Sequence, residues 1–481
     1  MIDTAVILAA GYGSRLRGVS NGLPKPLVPL VGVPLIIRIM NTAQKAGIRR
    51  FVVVTGYEAE QIRVAVSDSP AIDADIEFVH NAHFHDKANG VSVLSASEAV
   101  NEPFALLMGD HIFEADVLRR MLNQPLGEDE CVLAIDRKID EVFDLDDATK
   151  VVDHNGHISE IEKDLVDFNA VDTGMFACTP ALFDRLRVAY DENGDCSLSD
   201  GIRGLARERR MRTFDIGKAV WQDVDTPQMR KEAARRLGES LRKPTDGPVS
   251  RMLNRRISIP ISRVLSRLHV SPNQISAFNL VIGLITGVLF ASSEHVMIAI
   301  GGILFQFGSI VDGCDGEVAR LTYRQSDYGQ WVDTVTDNIS YVAFLIGLIV
   351  GQFRRVPSMS TAILGVIAVA SILTALLIMY QRINAMGKGS LLDFKIPSPD
   401  AVVAFDARLF KLYENLRTFV RRDVFALGVC VMAVLNLPGL VFAFWVAGCI
   451  GMLGAILHIT SGRVQRQLHI PVAVVREPVE A

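Results

Sequence analysis

Short apolar runs alternate with helical periods over the first 225 or so residues. AVILAA (Ala5–Ala10), FVVVT (Phe51–Thr55), IEFVH (Ile76–His80), FALLM (Phe104–Met108) and CVLAI (Cys131–Ile135) have the length and β-branched content of buried strands. Pro34–Ala46 and Glu58–Val66 between them have a helical period. Such alternation predicts a doubly wound α/β unit, a mostly parallel sheet covered by helices on both faces. Residues 227–242 are charged and helical in period, and KPTDGPVS after them is rich in turn formers, which places a boundary there. The pattern then changes character. Stretches without Asp, Glu, Lys or Arg run over 274–293, 295–311, 338–353, 356–381 and 424–462. The last is too long for one span of about 20 residues and divides at Asn436-Leu-Pro-Gly439. The expectation is an all-α membrane domain of six spans.

The expected division is thus residues 1–230 for the soluble domain, 231–269 for a linker and juxtamembrane helix, 270–465 for the membrane domain and 466–481 for a tail. Between the halves, Arg251, Arg255, Arg256, Arg263 and Arg267 are interleaved with apolar residues, as in a basic amphipathic helix on an anionic lipid surface. The loop 382–422 carries eight Lys and Arg, against Arg354 and Arg355 in the opposite loop. By the positive-inside bias this loop and both termini face the cytoplasm of a multi-pass cell-membrane protein. The N-terminus lacks a basic region followed by a long apolar run, so cytosolic folding is expected.

Composition sharpens this only in part. Hydrophobic residues make up 49% of the 481, concentrated in the second half, which excludes disordered and fibrous classes. The 49 Lys+Arg against 54 Asp+Glu leave a net charge of −5, so nothing points to nucleic acid. The six cysteines form no CxxC pair and are read as reduced.

Two stretches carry chemistry. Leu8-Ala9-Ala-Gly11-Tyr-Gly13-Ser-Arg15-Leu16 ends a predicted strand, and Leu23-Pro-Lys25-Pro-Leu27 follows. Glycines let backbone N–H groups close around a polyphosphate, and Arg15 and Lys25 can neutralise charge on the reacting phosphate. The third Rossmann glycine is replaced by Leu16, and the Gly-Lys-Ser/Thr of a P-loop is absent. LAAGYGSRL with LPKPLVPL resembles the sugar-phosphate nucleotidylyltransferase family over roughly residues 3–230. That resemblance implies transfer of a nucleotidyl group from a nucleoside triphosphate to a phosphorylated small molecule, with pyrophosphate released. It also implies magnesium on Asp110 and on Asp223, with Asp225 as the competing second ligand. The segment Asn81–Ser92 is similar to the cytidylyl-transferring branch, where Asn89 and its neighbours would face base and ribose; a helix cap is the other reading. Glu162-Lys163 match the acceptor side, Lys163 holding the acceptor's phosphate or else lying on the surface.

The second stretch, residues 312–337, reads DGCDGEVARLTYRQSDYGQWVDTVTD. Asp312 and Asp315 are three apart and Asp333 and Asp337 four apart, so each pair shares a helix face. Carboxylates at apolar spans are costly unless they meet a cation or water. Four together favour Mg²⁺ or Mn²⁺, with Gly316 and Gly329 allowing close approach; an ion-pair network with Arg320 and Arg324 is the competing reading. The spacing D-x2-DG-x2-AR-x8-G-x3-D-x3-D, including Ala319, is similar without a departure to the CDP-alcohol phosphotransferase family over about 270–465. The resemblance implies metal on Asp312, Asp315 and Asp333, with Asp337 close to it and taking the acceptor's hydroxyl proton, and nucleotide near Asn273, Gly316, Ala319, Arg320 and Gly329. It implies CMP as leaving group and a homodimer through the membrane domain.

Together the halves resemble bifunctional enzymes that make and consume one CDP-alcohol. The expected substrates are CTP, inositol 1-phosphate and the CDP-inositol formed from them, with divalent metal in both domains and Arg382 and Lys388 as binders of the acceptor's phosphate unless they serve topology alone. Two other readings stay open: a lipid acceptor for a different CDP-alcohol, and an ion-coupled transporter with a nucleotide-binding regulatory domain.

Overall fold

The computed structural model describes residues 2–13, 22–385 and 421–460, and the chain divides into two compact units, Met1–Glu239 and Ser240–Ala481. The first is built on a nine-stranded sheet. Its strands are β1 (Thr4–Ala9), β2 (Arg50–Thr55), β3 (Asp75–His80), β4 (Phe104–Met108), β5 (Cys131–Asp136), β6 (Lys150–His154), β7 (His157–Glu162), β8 (Ala170–Cys178) and β9 (Met211–Asp215). They lie in the order β3-β2-β1-β4-β8-β5-β9-β7-β6. Helices α1 (Leu35–Ala46), α2 (Ala59–Ser67), α3 (Asn89–Ser95), α4 (Ala115–Leu122), α5 (Ala181–Asn193), α6 (Leu198–Arg207) and α7 (Pro227–Glu239) complete the unit.

The four strands β3, β2, β1 and β4 are parallel, and the apolar runs of the inner three fit burial on both faces: Val6, Val52 and Leu106 lie in register and are all fully buried. The other half departs from the expected mostly parallel sheet. Strand β8 runs antiparallel to β4, β5 and β6, and β7 antiparallel to β9 and β6. Residues 150–178 supply these strands, and their sequence, KVVDH and HISEIE, mixes polar with apolar positions because β6 and β7 form a partly solvated edge.

The second unit is helical: α8 (Arg255–Arg267), α9 (Pro272–Phe290), α10 (His295–Thr322), α11 (Asp327–Arg355), α12 (Met359–Ala385), α13 (Arg422–Val434) and α14 (Pro438–Thr460). Among the described residues, four helices are long and apolar enough to cross a membrane: Pro272–Phe290, His295–Thr322, Asp327–Arg355 and Met359–Gln381. The helices α13 and α14 part between Val434 and Pro438, where Asn436 takes a left-handed φ of 59°. Ser271 starts α9 with a reciprocal capping box to Gln274, and Ser326 caps α11 through the Gly329 N–H. Apolar clusters around Phe290, Phe344 and Val441, and around Ile282, Cys314 and Val318, join these helices.

The juxtamembrane helix differs from its expected role in one respect. Its inward face is Ser258, Ser262 and Ser266, all buried, with Asn254 one turn before, whereas Met252, Val264 and Leu268 are exposed. Arg255 is turned inward onto Asp246 and Glu317 instead of outward, because the buried Glu317 carboxylate needs a cation.

Candidate active sites

In the first unit the parallel register sets the C-terminal ends of β1 and β4 side by side, Leu8 opposite Met108. This is the edge at which open α/β sheets bind ligands. The segment after β1 and the Gly109-Asp110 turn after β4 line one cavity of about 250 Å³, with Ala9, Gly11, Gly13 and Lys25 on its wall. Gly13 sits at φ +61°, and a Cβ there would lie 2.5 Å from the Lys25 Cβ, so glycine is what lets Lys25 lie across the loop. The Lys25 ammonium pairs with Asp110 and with Asp225.

A two-stranded ribbon brings in the remaining carboxylate. His111–Phe113 pairs with Trp221–Asp223 so that Asp223 stands opposite His111, while the Val224 N–H donates to the Asp110 carbonyl at 3.0 Å. A second cavity, about 260 Å³, is lined by Asp110, Asp223, Asp225, Lys163, Asp172 and His111 among others. Asp110 and Asp225 thus wall both cavities.

Burial raises the Asp110 carboxyl, but the Lys25 and His111 charges outweigh it and hold the group at about 2. Asp223 is pushed up by burial and, after the pull of His111, by the Asp110 charge. Asp172 is pushed up to about 6 by burial, against the Gly174 N–H that it accepts.

Other residues expected at this site are placed as follows. Lys163 lines the second cavity and pairs with Asp147 at 2.9 Å, whereas the Glu162 carboxylate pairs with Arg203 at 2.6 Å. Asn89 lines the same cavity, and its side-chain oxygen accepts from the Leu198 N–H at 2.9 Å, which joins α3 to α6. Arg15 lies outside the described residues.

In the helical unit, Asp312 on α10 and Asp333 and Asp337 on α11 offer carboxylate oxygens that all lie within 4.8 Å of one another. Asp315, one turn beyond Asp312, accepts from the buried Ser276 hydroxyl of α9 at 2.7 Å. Arg422, at the start of α13, reaches Asp312 and Asp337, each at 2.7 Å. Among the described residues, Arg422 is paired with these aspartates, and no ion pair joins them to the expected competitors Arg320 and Arg324. Arg320 lies along the Gly316 surface one turn away, and its buried Nε has no hydrogen-bond partner among the described residues. Ala319 lies on α10 between Gly316 and Arg320. Asn273 meets Gly329, its side-chain oxygen 3.4 Å from where a Gly329 Cβ would stand. A cavity of about 560 Å³ adjoins Asp312 and is lined by Arg255, Arg421 and Arg422 together with Asp246 and Asp423. Lys388 lies outside the described residues, and only the helical backbone of Arg382 is described. An all-oxygen donor set from three convergent carboxylates fits a hard divalent cation.

Residues 5–148 match the family described as MobA-like NTP transferase domain, and residues 269–449 match the family described as CDP-alcohol phosphatidyltransferase. Three relatives carry the description "Bifunctional IPC transferase and DIPP synthase". That of Aquifex aeolicus is 32% identical, over 72% of this chain and 77% of its own. That of Thermococcus kodakarensis is 36% identical, over 71% and 74%. The one from Rubrobacter xylanophilus is 34% identical over 79% of this chain and 82% of its own. The chain belongs to this bifunctional family. As a member of the bifunctional IPC transferase and DIPP synthase family it is an enzyme with both a nucleotidyltransferase and a CDP-alcohol phosphotransferase activity.

Three residues at the two sites of this family member had no role in the sequence reading. His111 follows Asp110 directly; its Nδ1 lies 3.1 Å from the Thr173 carbonyl and its Nε2 3.7 Å from Asp110. Ser276 lies three residues beyond Asn273, and Arg422 is one of the basic residues counted only for topology. Adjacency to a motif aspartate could have flagged His111, but Arg422 is 110 residues from Asp312 and no spacing announces it.

Proposed function

We propose that the soluble unit joins CTP to inositol 1-phosphate, giving CDP-inositol and pyrophosphate, and that the helical unit transfers phosphoinositol from CDP-inositol to a second inositol 1-phosphate, releasing CMP. The observation that carries this reading is one chain holding both a pair of cavities that share Asp110 and a three-carboxylate cluster between helices. The likeness to relatives described as both IPC transferase and DIPP synthase supports the choice of alcohol.

In the first step an oxygen of the inositol phosphate attacks the α-phosphorus of CTP, the bond from that phosphorus to the β-phosphate breaks, and pyrophosphate leaves. Backbone N–H groups of Ala9, Gly11 and Gly13, with Lys25 and Arg15, neutralise the triphosphate. Asp110 would hold the metal with Asp223, and Asp225, which also lines this cavity, stays the competing second ligand, since Lys25 pairs with Asp110 as well as with Asp225. Lys163 receives the acceptor's phosphate; Glu162, committed to Arg203, is left out of that role. Asn89 borders the same space and holds α3 to α6.

In the second step the acceptor hydroxyl attacks the phosphorus nearest the inositol, the bond to CMP breaks, and Asp337 takes the hydroxyl proton. Asp312, Asp315 and Asp333, with Asp337 beside them, are the residues that would hold Mg²⁺ or Mn²⁺, which would supply positive charge to the pyrophosphate and the leaving oxygen. Asn273, Gly316, Ala319, Arg320 and Gly329 border the nucleotide, glycines leaving room for phosphate. Arg421 and Arg422, which line the cavity beside Asp312, bind the acceptor's phosphate along with Arg382 and Lys388. The same proposal has six spans, both termini and both sites on the cytoplasmic side, lipid around the helical unit, and a homodimer.

The test is incubation of the purified chain in vesicles with labelled CTP, inositol 1-phosphate and Mg²⁺. CDP-inositol and pyrophosphate should appear first, then CMP and a di-inositol product. No CDP-inositol would reject the choice of alcohol, and label passing into lipid would reject the acceptor.

A further inference from the structure

The helix that carries Asp312 and Asp315 bears one more carboxylate, on its other side. Glu317 stands two residues beyond Asp315, a rotation of about 200° on a helix, and is fully buried against α8. It accepts from the Ser258 hydroxyl at 2.7 Å and the Ser262 hydroxyl at 2.6 Å, and pairs with Arg255. Arg255 in turn makes two contacts with Asp246, at 3.0 and 2.9 Å, and its side chain is 11% exposed. Gly313, between Asp312 and Cys314, leaves the space that Arg255 crosses: a Cβ there would be 3.3 Å from the guanidinium. Arg255, Asp246 and Asp312 line one cavity, so this guanidinium lies beside the metal-binding face without belonging to it. Every donor and acceptor in the cluster comes from residues 246–262, which precede the matched transferase region, or from Glu317 itself.

We infer that Glu317, with Arg255, Asp246, Ser258 and Ser262, is a positioning cluster for the aspartate site. It fixes the rotation of α10 that sends Asp312 and Asp315 toward α9 and α11, and it consumes the charge of Arg255, which would otherwise oppose a divalent cation next door. A helix turned by a fraction of a turn, or a freed guanidinium over Gly313, weakens cation binding without touching a ligand. The inference rests on the reading that Asp312, Asp315 and Asp333, with Asp337 beside them, hold a divalent cation.

The experiment titrates Mn²⁺ into the purified full chain in detergent and follows free ion by electron paramagnetic resonance. The class of tight sites that disappears in Asp333→Asn is the reporter, and CMP and pyrophosphate release are read in the same samples. Glu317→Gln should weaken that class by roughly 10–100-fold and raise by a similar factor the Mg²⁺ needed for half-maximal CMP release, with pyrophosphate release unchanged. Adding Arg255→Met, which removes the cation then left to Asp246 alone, should restore affinity to within about threefold of the unaltered chain. Unchanged Mn²⁺ affinity in Glu317→Gln overturns the inference, whereas recovery in the double variant assigns the loss to the guanidinium and equal weakening assigns it to helix rotation. If Glu317→Gln does not accumulate, Ser258→Ala with Ser262→Ala carries the test, with about a threefold to tenfold weakening expected and no change overturning it. Absence of any tight class in the unaltered chain would remove the metal reading along with the inference, a result no variant can mimic.

Discussion

The two units solve the same electrostatic problem differently. In the first unit the carboxylates lie at strand ends and on a ribbon, Asp110 is 27% exposed, and Lys25 and His111 balance it from neighbouring segments. In the helical unit three carboxylates converge from two helices, and α8, α9 and α13 supply partners: Arg255 and two serines for Glu317, Ser276 for Asp315, and Arg422 for Asp312 and Asp337. Water screens charge at a strand-end cleft, whereas helices packed with apolar faces outward must satisfy each charge from within. The comparison teaches that the site of the first unit is defined by loops and the helical one by the rotation of rigid elements.

The sharpest way to break this contrast is Asp333→Asn. It should cut CMP release by at least about 10³-fold, the equivalent of roughly 4 kcal/mol in the barrier, while pyrophosphate release from CTP persists. Loss of both would show that the sites are not independent. Lys25→Ala is the converse, expected to slow pyrophosphate release by about 10²–10³-fold with CMP release from supplied CDP-inositol intact. A normal first step would discredit the phosphate cradle.

Arg422→Met removes the cation shared by Asp312 and Asp337, and should raise the KM for the acceptor by roughly 10–100-fold, as for loss of a charged hydrogen bond, with kcat less affected. A fall in kcat at constant KM would instead place Arg422 with the reacting phosphorus.

The smallest effect concerns stability in the soluble unit. Asp172 is held at about 6 in the folded chain, above the ordinary 3.8, so its neutral form is favoured. Its contribution is fully present below about pH 4 and is lost as pH rises through 6. Asp172→Asn keeps an acceptor for the Gly174 N–H and should make the unit about 1–2 kcal/mol more stable than the parent at pH 7.5 yet nearly equal at pH 4. The measurement is the urea midpoint read by Trp221 fluorescence, with Trp331 and Trp445 changed to phenylalanine. An equal difference at both pH values would contradict the buried-carboxyl account.

Legibility in the sequence followed the range of the interactions. Strands such as AVILAA and FALLM were readable because burial on both faces leaves a continuous apolar run, and the aspartate pairs because helical spacing is local. The antiparallel turn of the sheet at β8 was not, since pairing order between strands leaves no local mark. Arg255 looked like a lipid-facing charge because the composition of α8 is basic and apolar, and only the position of Glu317 on α10 shows that its serine face is the inner one. Arg422 was hidden for the same reason: its partner lies 110 residues away.

Asp312, Asp315 and Asp333, with Asp337 beside them, are held to gather a divalent cation at which a CDP-alcohol is cleaved. Crystals grown with Mn²⁺ and CDP, examined by anomalous scattering at the manganese edge, test it directly. A peak within ligand distance of these carboxylates and of the pyrophosphate is the result the account predicts. Bound CDP with no peak among them would contradict it.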